Sequence, residues 1–410
     1  VLRIPGSKGA LLKPQLPEPG ASHPSSLAAT ADGRTRYAEI AAKLGQIGRI
    51  LIAVRAPDCD GARLVTEAIK SKGTGLLGLM WMLGALVPAQ AQSTTEVVLH
   101  NFAPTTGAYP VVGVIGDSAG NLYGTATVGG TSGQGVVYKL DSAGQYSVLF
   151  NFTGGADGGQ PYAGVIGDSA GNLYGTTSAG GAANAGVVYK LDRSGQETVL
   201  YSFTGGADGF EPLAGLIRDP AGNLYGTATF HGTPCPPVVE GQPPSCGVAF
   251  RLDAAGNYTV LYSFTGGADG GIPYSGVICD SAGNLYGTTY AGGTGNVGVV
   301  YRLDASGQET VLCSFDGYDG ALPFAGVTRN AAGNLYGTTA GGGGAYGDGQ
   351  GVVYKLDPAG NIAVLYSFPG GADGGDPFAG VIRDAKGNLY GTTYYGGTDN
   401  RGVLFELKPQ

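Results

Sequence analysis

The chain has 410 residues, 42% of them hydrophobic, which is enough for a sizeable core and excludes a natively disordered protein. Glycine is abundant at 78 residues, but it falls in turns and doublets, so a collagen-like period is excluded as well. The net charge of −8 is unevenly spread: residues 1–91 hold 11 Lys/Arg against 6 Asp/Glu, residues 92–410 hold 12 against 25, and so acidic a body argues against nucleic-acid binding.

Residues 1–33 are rich in Pro, Ser, Gly and Ala with no apolar period, and read as disordered. Residues 34–56 carry Tyr37, Ile40, Leu44, Ile47 and Leu51 at three- and four-residue steps, the pattern of a helix. Lys70 and Lys72 then precede an apolar run from Leu76 to Val87, followed by Pro88-Ala89-Gln90-Ala91. A basic start, a short apolar run and an Ala-x-Ala ending form a secretory signal peptide over 70–91, with cleavage expected after Ala91. The run is short against the ~20 residues of a spanning helix, so no membrane span is expected in the mature chain. A signal at residue 70, behind a first residue that is Val, leads us to read 1–69 as an extension and residues 1–64 as a gene-start artefact. The rival reading is a cytoplasmic segment followed by a membrane anchor.

Residues 92–410 are organised by one phrase, Asn-Leu-Tyr-Gly-Thr, which stands at 121–125, 172–176, 223–227, 284–288, 334–338 and 388–392. Six copies at a period near fifty mean a repeat architecture. The second unit shows four short runs bounded by Gly, Asp, Asn or Ser: A (163–168), B (172–177), C (186–192) and D (198–203). Apolar residues do not alternate along B or C, so both faces of each strand must be buried, as in sheets packed between sheets. Four strands per unit predict an all-β, six-bladed β-propeller with four antiparallel strands per blade. The last unit stops after its C run, while a spare D run, 97–102, precedes the first. That N-terminal strand is expected to complete the last blade and close the ring, removing an exposed edge.

The unit resembles the GloVer tandem repeat of secreted bacterial choice-of-anchor proteins. The resemblance rests on the six Asn-Leu-Tyr-Gly-Thr phrases and on Gly-Val-Val-Tyr-Lys-Leu-Asp at Gly135, Gly186 and Gly351. A near match begins at Gly298, and Val-Leu-Tyr-Ser-Phe phrases add to it; together they cover about residues 96–408. The glycine doublets resemble kelch propellers more weakly. The GloVer resemblance implies an extracellular or surface location and no particular chemistry. Members often carry a C-terminal sorting tail, whereas this sequence ends Lys408-Pro409-Gln410 after a strand. Release into the medium or periplasm is therefore expected.

Gly-Gly-Ala-Asp-Gly between D and the next A places Asp157, Asp208, Asp269 and Asp373 in equivalent loops, with Asp319 in a variant one. In a propeller the D–A and B–C loops share a face, so five carboxylates would ring the channel mouth. They would suit calcium or another ligand; the plainer reading is a turn in which each Asp bonds its own backbone. The Asp residues that end A and C sit at hairpins and read as structural. The tyrosines of B, such as Tyr174, read as packing residues whose hydroxyls find a partner. Stacking candidates are Phe230, Tyr290, Tyr346, Tyr394 and Tyr395 in the unequal B–C loops, where symmetry breaks.

The largest break, 230–246, is an insertion in which Cys235 and Cys246 flank a Pro-rich loop and read as a disulfide. His231 and Glu240 lie in it, as part of an exposed decoration. Cys279 and Cys313 read as buried, unpaired thiols. No nucleophile elbow, zinc helix, phosphate loop or dinucleotide fingerprint is present, and residues 92–410 hold only His100 and His231. The expected function is a secreted, monomeric, non-catalytic recognition or scaffold propeller for a polysaccharide or surface protein. It would need no cofactor beyond, at most, calcium at the channel mouth. The alternative is a glycan lyase, hydrolase or lactonase-like enzyme with a metal there.

Overall fold

In a computed structural model that describes residues 98–231, 246–345, 347 and 349–408, each repeat folds as a small antiparallel sheet. Five sheets have four strands in the order A-B-C-D, and the sixth has three. All described residues belong to one unit, Asp32–Gln410, and none lies in an α-helix. The signal peptide, the helix over 34–56, Cys59, Cys235, Glu240 and Tyr346 fall outside the described residues.

In the second sheet, A is Ile166–Gly167, B is Leu173–Thr177, C is Val187–Leu191 and D is Glu197–Ser202. Strand A is shorter than its apolar run. Strands B and C are buried on both faces, as their unbroken apolar runs require. The core consists of separate clusters, all but the first of them shared by two consecutive sheets. Val137 and Phe152 of the first sheet pack with Leu173, Val187 and Tyr189 of the second; Phe203 of the second packs with Val248 and Phe250 of the third. The same arrangement continues to the sixth, where Val353 and Phe368 meet Leu389. The result is a propeller-like succession of stacked sheets.

Every residue of the repeated phrase has a task. The Asp that ends strand A clasps the A–B hairpin: Asp168 Oδ1 accepts from the Asn172 amide at 2.9 Å, and Oδ2 accepts from Asn172 Nδ2 at 2.8 Å and the Tyr174 hydroxyl at 2.9 Å. Burial opposes the charge of Asp168, but these bonds outweigh it and hold the carboxyl below the usual range. The expected hydroxyl partner of Tyr174 is thus this aspartate. Gly175 stands opposite Tyr189 of strand C, whose ring lies across the space a side chain would fill. Thr176 donates from Oγ1 to the Ala214 carbonyl of the next sheet at 3.1 Å, and equivalent threonines make the same tie at four other junctions, from Thr125 to Ala163, Thr227 to Ser275, Thr288 to Ala325 and Thr338 to Ala379.

A second fastening lies just before strand A. Tyr109, Gln160, Glu211, Ile272, Leu322 and Asp376 each precede a proline with φ between 52° and 60°. Positive φ is costly for a side-chain-bearing residue, most of all for β-branched Ile272. Two backbone hydrogen bonds hold the conformation. The Glu211 amide donates to Ala185 O of the preceding sheet's B–C loop at 3.0 Å, and its carbonyl accepts from Thr229 at the end of its own strand B at 3.3 Å. Gln160, Ile272, Leu322 and Asp376 make the same pair of bonds.

The expected closing strand differs from the structure. Residues 98–102 form no strand, and the edge of Leu404–Leu407, strand C of the last sheet, has no partner strand among the described residues; Leu404 is 51% exposed. The segment nevertheless occupies the position of a preceding strand D against the first sheet. Phe102 meets Tyr138 edge-on at 5.1 Å, as Phe152 meets Tyr189 at 5.1 Å. His100 stacks on Tyr146 at 3.6 Å, as Tyr201 stacks on Tyr258 at 3.9 Å. Side-chain packing places it there, while the ladder bonds that would make it a strand are not formed.

Candidate functional site

The D–A aspartates close their own turns. Asp157 accepts from the Thr153 amide at 2.8 Å and from the Thr153 hydroxyl. Asp208 and Asp269 do the same with Thr204 and Thr265, and also accept from Tyr201 and Tyr262 at 2.8 and 3.0 Å. Asp373 takes a longer bond, 3.3 Å, from Tyr366. Asp319 accepts from the Asp316 amide at 2.9 Å; burial, then the neighbouring Asp316, pushes its carboxyl up to about 6. Each carboxylate serves its own loop, and among the described residues no three His, Cys, Asp or Glu side chains gather as a metal would need.

Two glutamates have unusual surroundings. Glu197 and Glu309 open strand D in the second and fourth sheets, where the first and third have Tyr146 and Tyr258. One oxygen of each carboxyl, Oε1, is buried with no hydrogen-bond partner. Burial first, and then the charge of Asp157 or Asp269, pushes both carboxyls up to about 7. The folded state therefore binds their protons more tightly than the unfolded chain does. Their effect is to lower stability as pH rises from about 4.5 through about 7. Because both are half-exposed and screened, about 1 kcal/mol each is expected. Melting followed by circular dichroism should show a Tm about 4 °C lower at pH 8 than at pH 5. The double variant Glu197→Gln/Glu309→Gln should flatten that slope; an unchanged slope refutes the assignment.

The loop aromatics are more enclosed than their loops suggested. Phe230 and Tyr394 are buried, so the expectation of exposed stacking faces is corrected for these two, and Tyr290 is half-buried. Tyr395 is 38% exposed. Phe230 is covered by Phe210; for the others the cause is a set of aromatics missed in the sequence, the residue after four of the six lead-in prolines: Tyr162, Tyr274, Phe324 and Phe378. Tyr290 lies 4.8 Å from Phe324, Phe324 4.8 Å from Phe378, Phe378 5.2 Å from Tyr394, and Tyr394 4.4 Å from Tyr395. The repeated Pro-aromatic-small-Gly pattern was the available signal. These contacts form a continuous aromatic band where the D–A and B–C loops meet.

At one end of the band is a cavity of about 490 Å³, within the usual range for a small-molecule site. It lies among loops of the second, third and fourth sheets. Tyr162, Phe210, Phe230 and Tyr274 form its apolar walls, and Gln160 and Glu211 are its polar lining at the pre-proline positions. Glu211 is close enough to Tyr162 to act with burial in raising the phenol pKa. At the far end of the band, burial pushes Asp376 up to about 6.

His231 is buried rather than displayed, with Nε2 3.1 Å from the Phe264 carbonyl oxygen. Cys246 and Cys279 are each disulfide-bonded, which corrects the expected free thiol at Cys279; Cys235, the expected partner of Cys246, lies outside the described residues. Cys313 is a free thiol, pushed up to about 12 by burial and by Asp319 and Asp316. No helix among the described residues is long and apolar enough to cross a membrane.

The sequence profile of the Gloeobacter/Verrucomicrobia repeat matches residues 73–236 and 237–410. No curated protein matches the sequence. Solved structures that align with it include a luciferin-regenerating enzyme, at 15% identity and TM-score 0.42, over 72% of this chain and 90% of that one. Others are dipeptidyl peptidase 4 of Porphyromonas gingivalis, at 11% and 0.38 over 70% and 43%, and the S511A mutant of puromycin hydrolase, at 12% and 0.41 over 72% and 45%.

Proposed function

Because the chain belongs to the Gloeobacter/Verrucomicrobia repeat family, we propose that it is a secreted, non-catalytic six-bladed propeller that recognises a glycan or surface protein outside the cell. The carrying observation is the aromatic-walled cavity on the face where the D–A and B–C loops meet. There the backbone repeats, while side chains and loop lengths do not, which is where binding on a repeat scaffold is expected. The carboxylates engaged in turn closure favour binding over metal-assisted chemistry. The signal-like stretch at 70–91 supports secretion.

The ring is proposed to close with residues 97–102 as strand D of the last blade. The packing of Phe102 on Tyr138 supports this, and closure would bring the Phe102 amide to the Gly402 carbonyl, as the Phe152 amide reaches Gly135 O at 3.0 Å. A monomer is expected.

The test is depletion of purified residues 92–410 by a panel of insoluble polysaccharides and bacterial surfaces, with calcium and with EDTA, while assaying for reducing or unsaturated products. Retention without product is expected under both conditions. Product release that EDTA abolishes would replace this reading with the metal-dependent enzyme, and absence of retention on every surface would end it.

A further inference from the structure

We propose that the junctions between the first and second sheets and between the third and fourth are proton-operated latches, in which a protonated Glu197 or Glu309 supplies the hydrogen that a tyrosine hydroxyl supplies at the matching position of other sheets. The first residue of strand D faces the D–A loop that precedes its sheet. In the first sheet it is Tyr146, whose hydroxyl donates to Thr106 O at 2.6 Å; in the third it is Tyr258, whose hydroxyl donates to Asp208 O at 2.5 Å. Each bond pins the loop to the sheet that follows it. Glu197 and Glu309 stand in the same register, opposite Leu191 and Leu303 as Tyr146 and Tyr258 stand opposite Leu140 and Leu252. A carboxylate has no hydrogen to give to a carbonyl. Only the acid form takes the tyrosine's part, and one bridging water makes up for the shorter side chain.

The groups around each glutamate favour that acid form. Asp157 of the preceding loop acts on Glu197, and Asp269 on Glu309. Tyr189 of strand C adjoins Glu197; Tyr301 of strand C and Tyr262 of the preceding strand D adjoin Glu309. Burial first, and then the neighbouring carboxylates, push these three phenols up, so they stay neutral and the glutamates carry the titration. Oε1 of both glutamates and the hydroxyls of Tyr189 and Tyr301 are buried with no hydrogen-bond partner, so no described donor stabilises a carboxylate at Oε1. Ionisation then sets a second negative charge beside Asp157 or Asp269 with no hydrogen between them. The folded chain holds each proton up to about 7, whereas an ordinary glutamate releases it near 4.5. The latch is therefore closed on the acid side and opens as pH rises through about 7. The opening is local, because only the tie between loop and following strand D is undone. The junction held by Tyr258 stays shut over the same range, since burial raises that phenol as well.

Hydrogen exchange of the full chain, read by mass spectrometry, tests this, because one molecule holds both kinds of junction. The amides of Gly154, Gly158 and Gly159 are hydrogen-bonded in the loop facing Glu197, those of Gly266, Gly270 and Gly271 in the loop facing Glu309, and those of Gly209 and Phe210 in the loop held by Tyr258. After correction for intrinsic exchange, protection of 153–160 and 265–272 should fall about tenfold relative to 204–211 between pH 5 and pH 8, less than the full displacement allows because both carboxyls are half-exposed. Tyrosine already stands at this position in the first and third sheets, which keeps the variants within what the fold accepts. Glu197→Tyr should make 153–160 indifferent to pH while 265–272 keeps its response, and Glu309→Tyr should do the reverse. The same pH response in all three loops, or a response of 153–160 that survives Glu197→Tyr, would overturn the proposal. Protection restored at pH 8 by calcium and removed at pH 5 by EDTA would overturn it too, by putting a metal where the proton is assigned.

Discussion

Deleting residues 97–102 should shift the protein into aggregates larger than the parent species, read by size-exclusion chromatography with light scattering. The first sheet loses cover, while the edge of the last stays open. On the first sheet, the rings of Tyr138 and Tyr146 lose the edge of Phe102, and Tyr146 loses the stacked His100. On the last, strand C keeps an unpaired edge with Leu404 facing solvent, a template for pairing with another chain. The milder Phe102→Ala should cost about 3 kcal/mol, in the range for truncating a packed phenylalanine. Phe203→Ala, which removes the equivalent ring between the second and third sheets, gives the comparison for an intact junction. If closure occurs, the two losses should be similar. A deletion variant that keeps the parent's size and Tm would show that the ring does not depend on this segment.

Gly175→Ala should cost about 3 kcal/mol, and Tm should fall by roughly 6–9 °C. A β-carbon at Gly175 would sit 2.5 Å from the Tyr189 hydroxyl oxygen and 2.7 Å from the ring carbon that bears it. Tyr189 is wholly buried and its ring is locked against Phe152 of the preceding sheet at 5.1 Å, so it has nowhere to withdraw. Backbone strain has no part in this, because Gly175 is not among the glycines at positive φ. Gly167→Ala is the control, since its nearest neighbours would lie 3.6 Å or more away, ordinary contact. Equal melting curves for the two variants would sink the packing account of the phrase.

The phrase was legible because local chemistry and packing agree in it. Asn172 and Tyr174 meet the carboxylate four and six residues before them, Gly175 clears a ring, and Thr176 ties to the next sheet, so the pattern recurs wherever the fold does. Burial of both faces of strands B and C was legible for the same reason. The site was less so. Whether a loop aromatic is covered depends on another segment of the chain: Phe230 and Tyr394 are covered by Phe210 and Phe378, which stand 20 and 16 residues before them in the lead-in segments. The D–A aspartates looked like a ring because they repeat, but each is consumed by the threonine four residues before it in three of the loops. The positive φ before each proline has no signature in residue type: the residue is different every time, and only the backbone bonds across the junction select it.

That last feature bears on how such a protein can change over time. Where a junction is fixed through side chains, altering recognition risks loosening the assembly. Here the amide and carbonyl of Gln160 or Glu211 hold the repeats together whatever side chain is attached. Point substitutions at these positions can therefore change the chemistry of the face while leaving the frame intact. A lineage built this way can vary that face step by step without an unstable ancestor in between.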